Sequence, residues 1–524
     1  MSPFTPILLA ITVASVVVAL TALARKLPIP SPILQVMAGL AVGFIPGLTV
    51  PELEPEVVFF VFLPPILWQA AFFTSIREFR RNLRPIGLLA VGLVLVTTAA
   101  VAIAAHALFP GLPWAVAIAI GAIVSPPDAV AAAAIVSRLP VPRRVVVILE
   151  GESLVNDAAA LVLYRTAVAA AVTGAFSLGE AVVRFFIDAG VGALIGILIG
   201  WLVVQAVRWT KDSLAETLLT IAAPYLAWVA AEALHVSAVL ACVAGGIYLR
   251  QHFSTAVSAM SRLQSRAVWD LVVFIINALI FLILGVQFSP LMKQVPDGEI
   301  GSVLISGVII SVVAIVLRLL WVPLATYLPR WLSAEVRRRD PMPDRRGVTL
   351  VAWTGMRGIV SLAAALGLPL ALSNGAPFPY RAEIILVTMC VIMITLVLQG
   401  LTLTPMIRAF AFSPDLTNFE EEHHARREAL RRGVEALEDL SREDWTDADE
   451  VSALRRELHD RMQQQQRRGR DSASRRRLRM GVLTAERRML VRLRNEGAIS
   501  DEVLRELEQE LDHETVRFGA GDER

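Results

Sequence analysis

The stretch 151–157 (Gly-Glu-Ser-Leu-Val-Asn-Asp) puts two carboxylates, an amide and a hydroxyl into an otherwise apolar segment. At helical spacing Glu152 and Asn156 share one face, and Ser153 and Asp157 share the neighbouring face. A carboxylate in hydrocarbon is costly unless it faces a partner or a wet cavity. We therefore interpret Asp157 as a functional acid, with a helix cap or an inter-helix hydrogen bond as the alternative.

A second chemically informative group lies where a helix is predicted to break. Pro126 and Pro127 stand in the middle of the apolar segment 113–137, and adjacent prolines remove two backbone donors and clash with the preceding turn. Asp128 follows them directly, where freed carbonyls and half-helix ends can offset or coordinate charge. The alternative for Asp128 is again a helix cap or an inter-helix hydrogen bond.

These acids predict a cation site if their two segments are neighbours in space, as consecutive elements usually are. Asp157, Ser153, Asp128 and Asn156, with freed carbonyls, then form an oxygen-rich site, and hard cations such as sodium prefer oxygen ligands. Asp157 and Ser153 are the side chains expected to hold sodium. No cluster of histidines or cysteines accompanies them, so a metal enzyme is not expected and no cofactor is predicted.

Two arginines also lie inside apolar segments, Arg318 in 303–325 and Arg357 in 347–372. Each needs an anion or the carboxyl end of a half-helix nearby. Glu152 is the natural partner of Arg318, which would leave Asp157 to titrate freely; the alternative for Arg318 is to extend towards the membrane interface. Glycines flank Arg357 and predict a second helix break there.

The composition indicates an all-α polytopic membrane protein. The chain has 524 residues, 55% of them hydrophobic, and a mean hydropathy of +0.61. Its apolar residues form runs of about 20, the length that spans a bilayer. About thirteen such segments are found, near 5–24, 32–48, 57–73, 85–108, 113–137, 144–170, 180–208, 214–231, 236–249, 267–286, 303–325, 347–372 and 382–412. The first is interpreted as a retained helix because it lacks a basic leader.

The charges between these segments alternate from one connection to the next. Basic residues fall on one side: Arg25, Lys26, Arg77, Arg80, Arg81, Arg84, Arg138, Arg143, Arg144, Arg208, Lys211, Arg250, Arg262, Arg266, Arg330, Arg337, Arg338, Arg339, Arg345 and Arg346. The opposite connections are acidic or neutral, with Glu52, Glu54, Glu56, Glu180, Glu232, Asp297 and Glu299. The positive-inside rule then predicts an external N-terminus and a cytoplasmic C-terminus in the cell membrane.

An odd number of spans suits two inverted six-helix repeats joined by one linker helix, a common plan of secondary transporters. The two segments with predicted breaks, 113–137 and 347–372, are each the fifth of their half. Interrupted helices at corresponding positions of two halves indicate a binding site at the midplane of the membrane.

The composition changes near residue 413, which divides the chain into a membrane domain (1–414) and a cytoplasmic tail (415–524). The tail is rich in Glu and Arg, and 419–439, 447–468, 475–496 and 499–517 are predicted helices. Solvated, salt-bridged helices are the simple interpretation of the tail, and a regulatory or dimer-supporting domain is the more specific one. Nucleic acid is not expected as a partner.

Several motifs together resemble the sodium/proton exchangers of the cation:proton antiporter superfamily, in the NhaP/NHE-like branch with an Asn-Asp pair. They are 62–66 (Phe-Leu-Pro-Pro-Ile), 121–130 around Asp128, 150–157 ending in Asn156-Asp157, Trp269 with 277–282, and 355–362 around Arg357. The resemblance covers nearly the whole membrane region. It implies a homodimer with dimer and core subdomains, crossed interrupted helices, and alternating access by an elevator-like movement.

The resemblance also implies roles for individual residues. Asp157 would bind the ion and the proton, with Asn156 as its orienting neighbour and Ser153 as a ligand. Glu152 and Arg318 would form an ion pair, and Asp128 and Arg357 would stabilise the crossed helix breaks. Two departures qualify this: Gln69 stands where some relatives have an acid, and Pro127 stands where many have a hydroxyl residue.

The predicted function is electroneutral exchange of one sodium or lithium ion for one proton, serving pH and sodium homeostasis. One carboxylate charge supports either a cation or a proton, so the two compete for Asp157. A potassium/proton exchanger on the same fold is the nearest alternative. A sodium-coupled symporter of organic anions and a non-transporting membrane sensor are alternatives of other classes.

Overall fold

The computed structural model describes residues 5–26, 29–45, 58–136, 139–174, 178–210, 212–296, 298–412, 416–443, 445–467 and 472–496, with scattered residues beyond 496. Within these residues the chain is almost entirely helical, and its β-structure is an isolated bridge between Ala371 and Pro377. The chain divides into two compact units, Met1–Ser413 and Pro414–Arg524.

In chain order, the helices of the first unit are α1 (Thr5–Lys26), α2 (Ser31–Gly43), α3 (Leu63–Phe73), α4 (Ile76–Arg81), α5 (Leu83–Leu108), α6 (Trp114–Val124), α7 (Ala129–Val136), α8 (Arg143–Thr173), α9 (Leu178–Thr210), α10 (Ser213–Ala233), α11 (Ala238–Ala256), α12 (Ala259–Met292), α13 (Ile300–Leu332), α14 (Ala334–Arg339), α15 (Arg345–Trp353), α16 (Ile359–Leu366) and α17 (Arg381–Phe410). A π-helical turn, Val58–Phe62, leads into α3, and a π-helical section, Leu88–Leu93, lies within α5.

The ends of several helices follow from their local sequence. Asp212, Ser237, Ser258 and Asp344 each accept a hydrogen bond from a backbone N–H of the following first turn. At the other end of a helix, Gly174 closes α8 with a φ of 72°, a conformation that glycine adopts without steric cost.

The prediction of an all-α membrane fold is confirmed. Among the described residues, six helices are long and apolar enough to cross a membrane: Leu83–Leu108, Phe186–Thr210, Ser213–Ala233, Met260–Met292, Ile300–Leu332 and Arg381–Phe410. Shorter apolar helices are Ser15–Ala24, Ser31–Gly43, Phe59–Phe73 and Trp114–Val124. Each predicted apolar segment corresponds to a helix, except that 113–137 is divided into α6 and α7 and 347–372 into α15 and α16.

The packing of the helices has the internal symmetry expected of two repeats. With α9 as the linker, α2 corresponds to α11, α3 to α12, α5 to α13, and α8 to α17. Helix α2 packs against α12, and its counterpart contact, α3 against α11, is also present. Helix α5 packs against α6 just as α13 packs against α15. The two halves therefore interlock rather than lie side by side.

Small residues permit the closest of these contacts. A Cβ at Gly39 of α2 would collide with the carbonyl oxygen of Leu282, and one at Gly43 would lie 2.6 Å from the carbonyl oxygen of Val286. Both contacts are with the backbone of α12. Helix backbones approach this closely in membranes through glycine, since association there depends on packing rather than on hydrophobic burial.

Buried apolar side chains form two large clusters in this unit. One is centred on α5, α6, α8, α13 and α17, with Ile120, Val124, Ala314 and Val391 fully buried. The other is centred on α3, α9, α10, α11 and α12, with Trp68, Ala227 and Cys242 among its buried members. Both interrupted helix pairs contribute to the first cluster, so this packing fixes where they cross.

The second unit contains α18 (Leu416–Leu440), α19 (Ala448–Arg467) and α20 (Ser472–Asn495). Exposed pairs along its helices, such as Arg431 with Glu428 and Arg461 with Glu457, give these helices a solvated, salt-bridged surface. Most of the predicted helix 499–517 lies outside the described residues. Six charged residues of the predicted connections also lie outside the described residues: Glu52, Glu54, Glu56, Arg138, Lys211 and Asp297.

Candidate functional site

The two interrupted helices touch where each one breaks. The backbone N–H of Asp128 donates to the carbonyl oxygen of Met356 across 2.7 Å. A Cβ at Gly358 would fall on the Asp128 carboxylate, so that position has room only for glycine. Both predicted breaks therefore exist, and the chain ends that they free face each other.

Arg357 lies where both half-helices present their carboxyl ends. Its Nε donates to the carbonyl of Val124, the last residue of α6, across 3.0 Å, and its Nη1 donates to the carbonyl of Gly355, just beyond α15. The side chain is buried, and its backbone N–H donates to Thr395 Oγ1 of α17 across 3.1 Å. A cation at this place offsets the partial negative charge of two helix C-termini.

Asp128 occupies the complementary place at the two helix N-termini. It directly precedes α7, and its carboxylate lies beside Gly358, the N-cap residue of α16. A negative charge there offsets the partial positive charge of both ends. Asp128 and Arg357 therefore neutralise the crossing from opposite sides.

Glu152 and Arg318 are paired deep in the protein, and each is 1% exposed. Arg318 Nη1 lies 2.5 Å from Glu152 Oε1, and Arg318 Nη2 lies 2.8 Å from Oε2. The same Nη2 donates to the carbonyl of Val351 across 3.0 Å, which ties α13 to α15 as well as to α8. Both oxygens of Glu152 are thus occupied by one guanidinium, the bidentate geometry that stabilises such pairs best.

Asn156 connects α8 to the first break. Its side chain is fully buried, and Nδ2 donates to the carbonyl of Pro127 across 2.9 Å. Its Oδ1 has no hydrogen-bond donor among the described residues. Pro126 and Pro127 are themselves buried, and Gln69 is half-buried on α3.

Among the residues that the structure describes, Asp157 differs from the other site acids in having no hydrogen-bond donor or counter-ion. It is 7% exposed, and in the described part of the chain its carboxylate neither accepts a hydrogen bond nor forms an ion pair. Its neighbour Asn156 bonds to Pro127, the residue before Asp128, so the two carboxylates lie in the same region. Ser153, one turn earlier on α8, is half-buried. The arrangement thus provides a carboxylate, a hydroxyl and a second carboxylate beside a helix crossing, a set that suits a cation or a proton.

Two contributors to the site were missed from the sequence. Thr395 lies in a long apolar segment without a motif, and only the fold brings its hydroxyl to Arg357. The carbonyl of Val124 is a backbone acceptor, which no side-chain pattern can identify.

A comparison with known families supports the same interpretation. The family described as "Sodium/hydrogen exchanger, transmembrane" matches residues 12–409, more than half of the chain. The chain belongs to the sodium/hydrogen exchanger family. Members of this family are cation/proton antiporters, so the exchanger is a transporter and not an enzyme.

Relatives of the exchanger align along most of its length. An uncharacterised sodium/proton exchanger of Mycobacterium tuberculosis strain H37Rv is 35% identical over 519 residues, covering 97% of this chain and 95% of the relative. A sodium, potassium, lithium and rubidium/proton antiporter of Bacillus subtilis is 36% identical over 387 residues, covering 72% of this chain and 57% of that protein.

The fold of the exchanger also matches a solved structure. The sodium proton antiporter MjNhaP1 from Methanocaldococcus jannaschii at pH 8 superposes with a TM-score of 0.59 at 19% identity, over 78% of this chain and 99% of that one. The fold predicted from the sequence is therefore shared with a known transporter.

Proposed function

We propose that this protein is an electroneutral antiporter that exchanges one sodium or lithium ion for one proton across the cell membrane. Asp157 binds either the cation or the proton, and Ser153 supplies a further oxygen ligand. The observation that carries the proposal is the contrast among the buried acids. Glu152 has both oxygens on Arg318, and Asp128 faces two helix N-termini. Asp157 remains for the transported ions.

Exchange follows from the single charge of Asp157. A buried carboxylate without a counter-ion is costly, so it is stable when neutralised by a cation or by a proton. Both together would leave the site with an unbalanced positive charge. Because Asn156 is neutral, one positive charge crosses in each direction per cycle, and the net charge moved is zero.

The arginines at one end of the helices support the orientation. Arg84, Arg144 and Arg330 come together at Asp340, so the corresponding ends of α5, α8 and α13 lie on one side. We assign this basic end to the cytoplasm by the positive-inside rule, with the N-terminus outside. We propose that the cluster around α5, α6, α8, α13 and α17 is the core subdomain, that the cluster around α3 and α9–α12 is the dimer subdomain, and that two copies assemble through the dimer subdomain.

Purified protein in liposomes tests the proposal directly. A sodium or lithium gradient should drive proton movement measured by a pH dye inside the vesicles, and Asp157→Asn should abolish it. Asp270→Asn, which removes an exposed carboxylate on α12, is the matched control and should transport normally. Exchange by folded Asp157→Asn at the wild-type rate would refute the assignment of Asp157.

The same vesicles test stoichiometry and cation preference. If each cycle moved one net charge, a membrane voltage of 100 mV would change the driving force for exchange by about 2.3 kcal/mol. A sodium gradient for zero net flux that shifts with voltage would therefore refute electroneutrality. The Bacillus subtilis relative is named for potassium and rubidium as well as sodium and lithium. Potassium is therefore tested beside sodium, and a stronger response to potassium would replace sodium as the proposed substrate.

A further inference from the structure

A cavity of about 280 Å³ lies at the basic end, between α5, α8, α13 and α15. Its walls are mainly apolar, with Leu89, Ile148, Val322, Ala325 and Val348 among them. The side chains of Arg84, Arg144 and Arg330 also line it. An apolar chamber with cationic groups is suited to an amphiphilic anion.

The arginines are held in place by one carboxylate. Asp340 Oδ2 accepts from Arg84 Nη2 at 2.9 Å and from Arg330 Nη2 at 2.6 Å, and its Oδ1 accepts from Arg144 Nη2 at 2.6 Å. Arg330 is buried and completes its bonds with the carbonyls of Asp340 and Thr326. One carboxylate cannot balance three guanidinium groups, so Asp340 positions them without neutralising the group.

Arg84 and Arg144 retain donors for another anion. Arg144 Nε donates to Asn82, but its side chain is still 39% exposed. Arg84 Nε is buried and has no acceptor among the described residues. Asp344 is a second carboxylate on the cavity, and its Oδ1 is engaged with the backbone N–H of Arg346 at the start of α15. The three arginines and the two carboxylates, Asp340 and Asp344, together leave a surplus of one positive charge.

One uncapped helix N-terminus adds to this positive potential. Helix α8 begins beside the cavity at Pro142 and Arg143, and no side chain caps its first turn. Helix α15 also begins at the cavity, but the Asp344 carboxylate already caps its first turn. Backbone N–H groups at helix starts favour anions, and phosphate above all.

We propose that this cavity binds an anionic phospholipid, with its phosphate on Arg84 and Arg144 and part of an acyl chain among the apolar walls. Basic pockets between transmembrane helices at a membrane surface are suited to such headgroups. The cavity is smaller than the roughly 300–1,000 Å³ that encloses a whole drug-sized ligand, so it holds one chain segment rather than an entire lipid. A bound lipid would join the ends of four helices, three of which, α8, α13 and α15, hold the Glu152–Arg318 pair and its Val351 acceptor.

The test uses the full-length protein in neutral detergent micelles. Short-chain phosphatidylglycerol, short-chain phosphatidylcholine and inorganic phosphate are titrated separately, and the thermal-unfolding midpoint reports binding. We expect phosphatidylglycerol alone to raise the midpoint in a saturable manner. Arg84→Gln and Arg144→Gln should weaken its apparent affinity about tenfold or more, which corresponds to the loss of one charge-assisted hydrogen bond. Arg81→Gln removes an exposed arginine of α4 outside the cavity and should leave the affinity unchanged.

Two further variants separate binding from a purely structural role. Ala325→Phe keeps every charge but fills the cavity, and it should also weaken binding. Val348→Phe, on another wall of the cavity, likewise keeps every charge and should weaken binding. An unchanged response in Ala325→Phe and Arg144→Gln would overturn the proposal. Equal protection by inorganic phosphate would overturn the lipid assignment in favour of a soluble anion.

Discussion

Neutralising one member of the Glu152–Arg318 pair should be among the most damaging single changes in this protein. In Glu152→Gln the guanidinium of Arg318, 1% exposed, keeps a full charge but loses the carboxylate that meets both of its terminal nitrogens. The carbonyl of Val351 remains as its acceptor, and Nε already has none among the described residues. Breaking a buried pair in this way costs about 3–5 kcal/mol of unfolding free energy.

The pairing itself is measured by a double-mutant cycle. Glu152→Gln, Arg318→Gln and the double variant are unfolded with increasing denaturant in mixed micelles and followed by circular dichroism. The double variant leaves no uncompensated charge. Its loss of unfolding free energy should therefore be smaller than the sum of the two single losses, by at least about 2 kcal/mol. The pair Arg339–Glu335 is the matched control, because it has a similar N–O distance of 2.6 Å but side chains 80% and 59% exposed. Its coupling should be about 0.5 kcal/mol or less.

Two outcomes would refute this reasoning. Single variants that cost less than about 1 kcal/mol would mean that water reaches the pair. Additive effects, within about 0.5 kcal/mol, would mean that the two side chains do not interact in the folded protein.

Three further predictions concern the crossing, the basic end and the tail. Gly358→Ala should lower the free energy of unfolding by about 1–3 kcal/mol and remove most of the exchange activity, because the added Cβ would fall on Asp128. Gly347→Ala is the control and should be tolerated, because its Cβ would meet Val145 at an ordinary 3.4 Å. Equal thermal-unfolding midpoints for the two variants would contradict this. Burial raises the pKa of the Asp340 carboxyl, but the hydrogen bonds and charges of Arg144 and Arg330 outweigh it and hold that pKa below its ordinary 3.8. The stabilisation from Asp340 is therefore complete above pH 3.8 and is lost as the pH falls through the lower pKa of the folded state. The difference in unfolding free energy between the wild type and Asp340→Asn should shrink only below pH 3.8. Deleting 420–524 should leave exchange measurable, since the proposed ion site lies before it; a folded truncation without exchange at any pH or sodium concentration would contradict this division.

Much of the membrane unit could be predicted from the sequence because its signals are local. Runs of apolar residues located the helices, and the paired prolines before Asp128 and the glycines around Arg357 located both interruptions. The pairing of Glu152 with Arg318 was accessible because few charges in hydrocarbon leave few possible partners.

Other parts of the site depend on the three-dimensional arrangement and have no sequence signal. The donation from Arg357 to the carbonyl of Val124 requires the two breaks to cross in one particular register. The π-helical section Leu88–Leu93 involves no unusual residue pattern. From the sequence, the only prediction for Arg84, Arg144 and Arg330 was that they lie on the cytoplasmic side. Their common partner, Asp340, was not recognised because arginines outnumber acids in the segment around it.

The interlocking of the two halves has a consequence for how the chain is made. Helix α2 finds its glycine-mediated partner, α12, only after roughly 200 more residues have been synthesised. At about 5–20 residues per second, that is a delay of roughly 10–40 s, during which α2 must wait in the membrane with its close-packing face covered by lipid or a chaperone. A ribosome that stalled before α12 would thus leave an insertion product whose first half cannot mature alone. Supplying the second half as a separate polypeptide should allow the first half to pack and complete its folding.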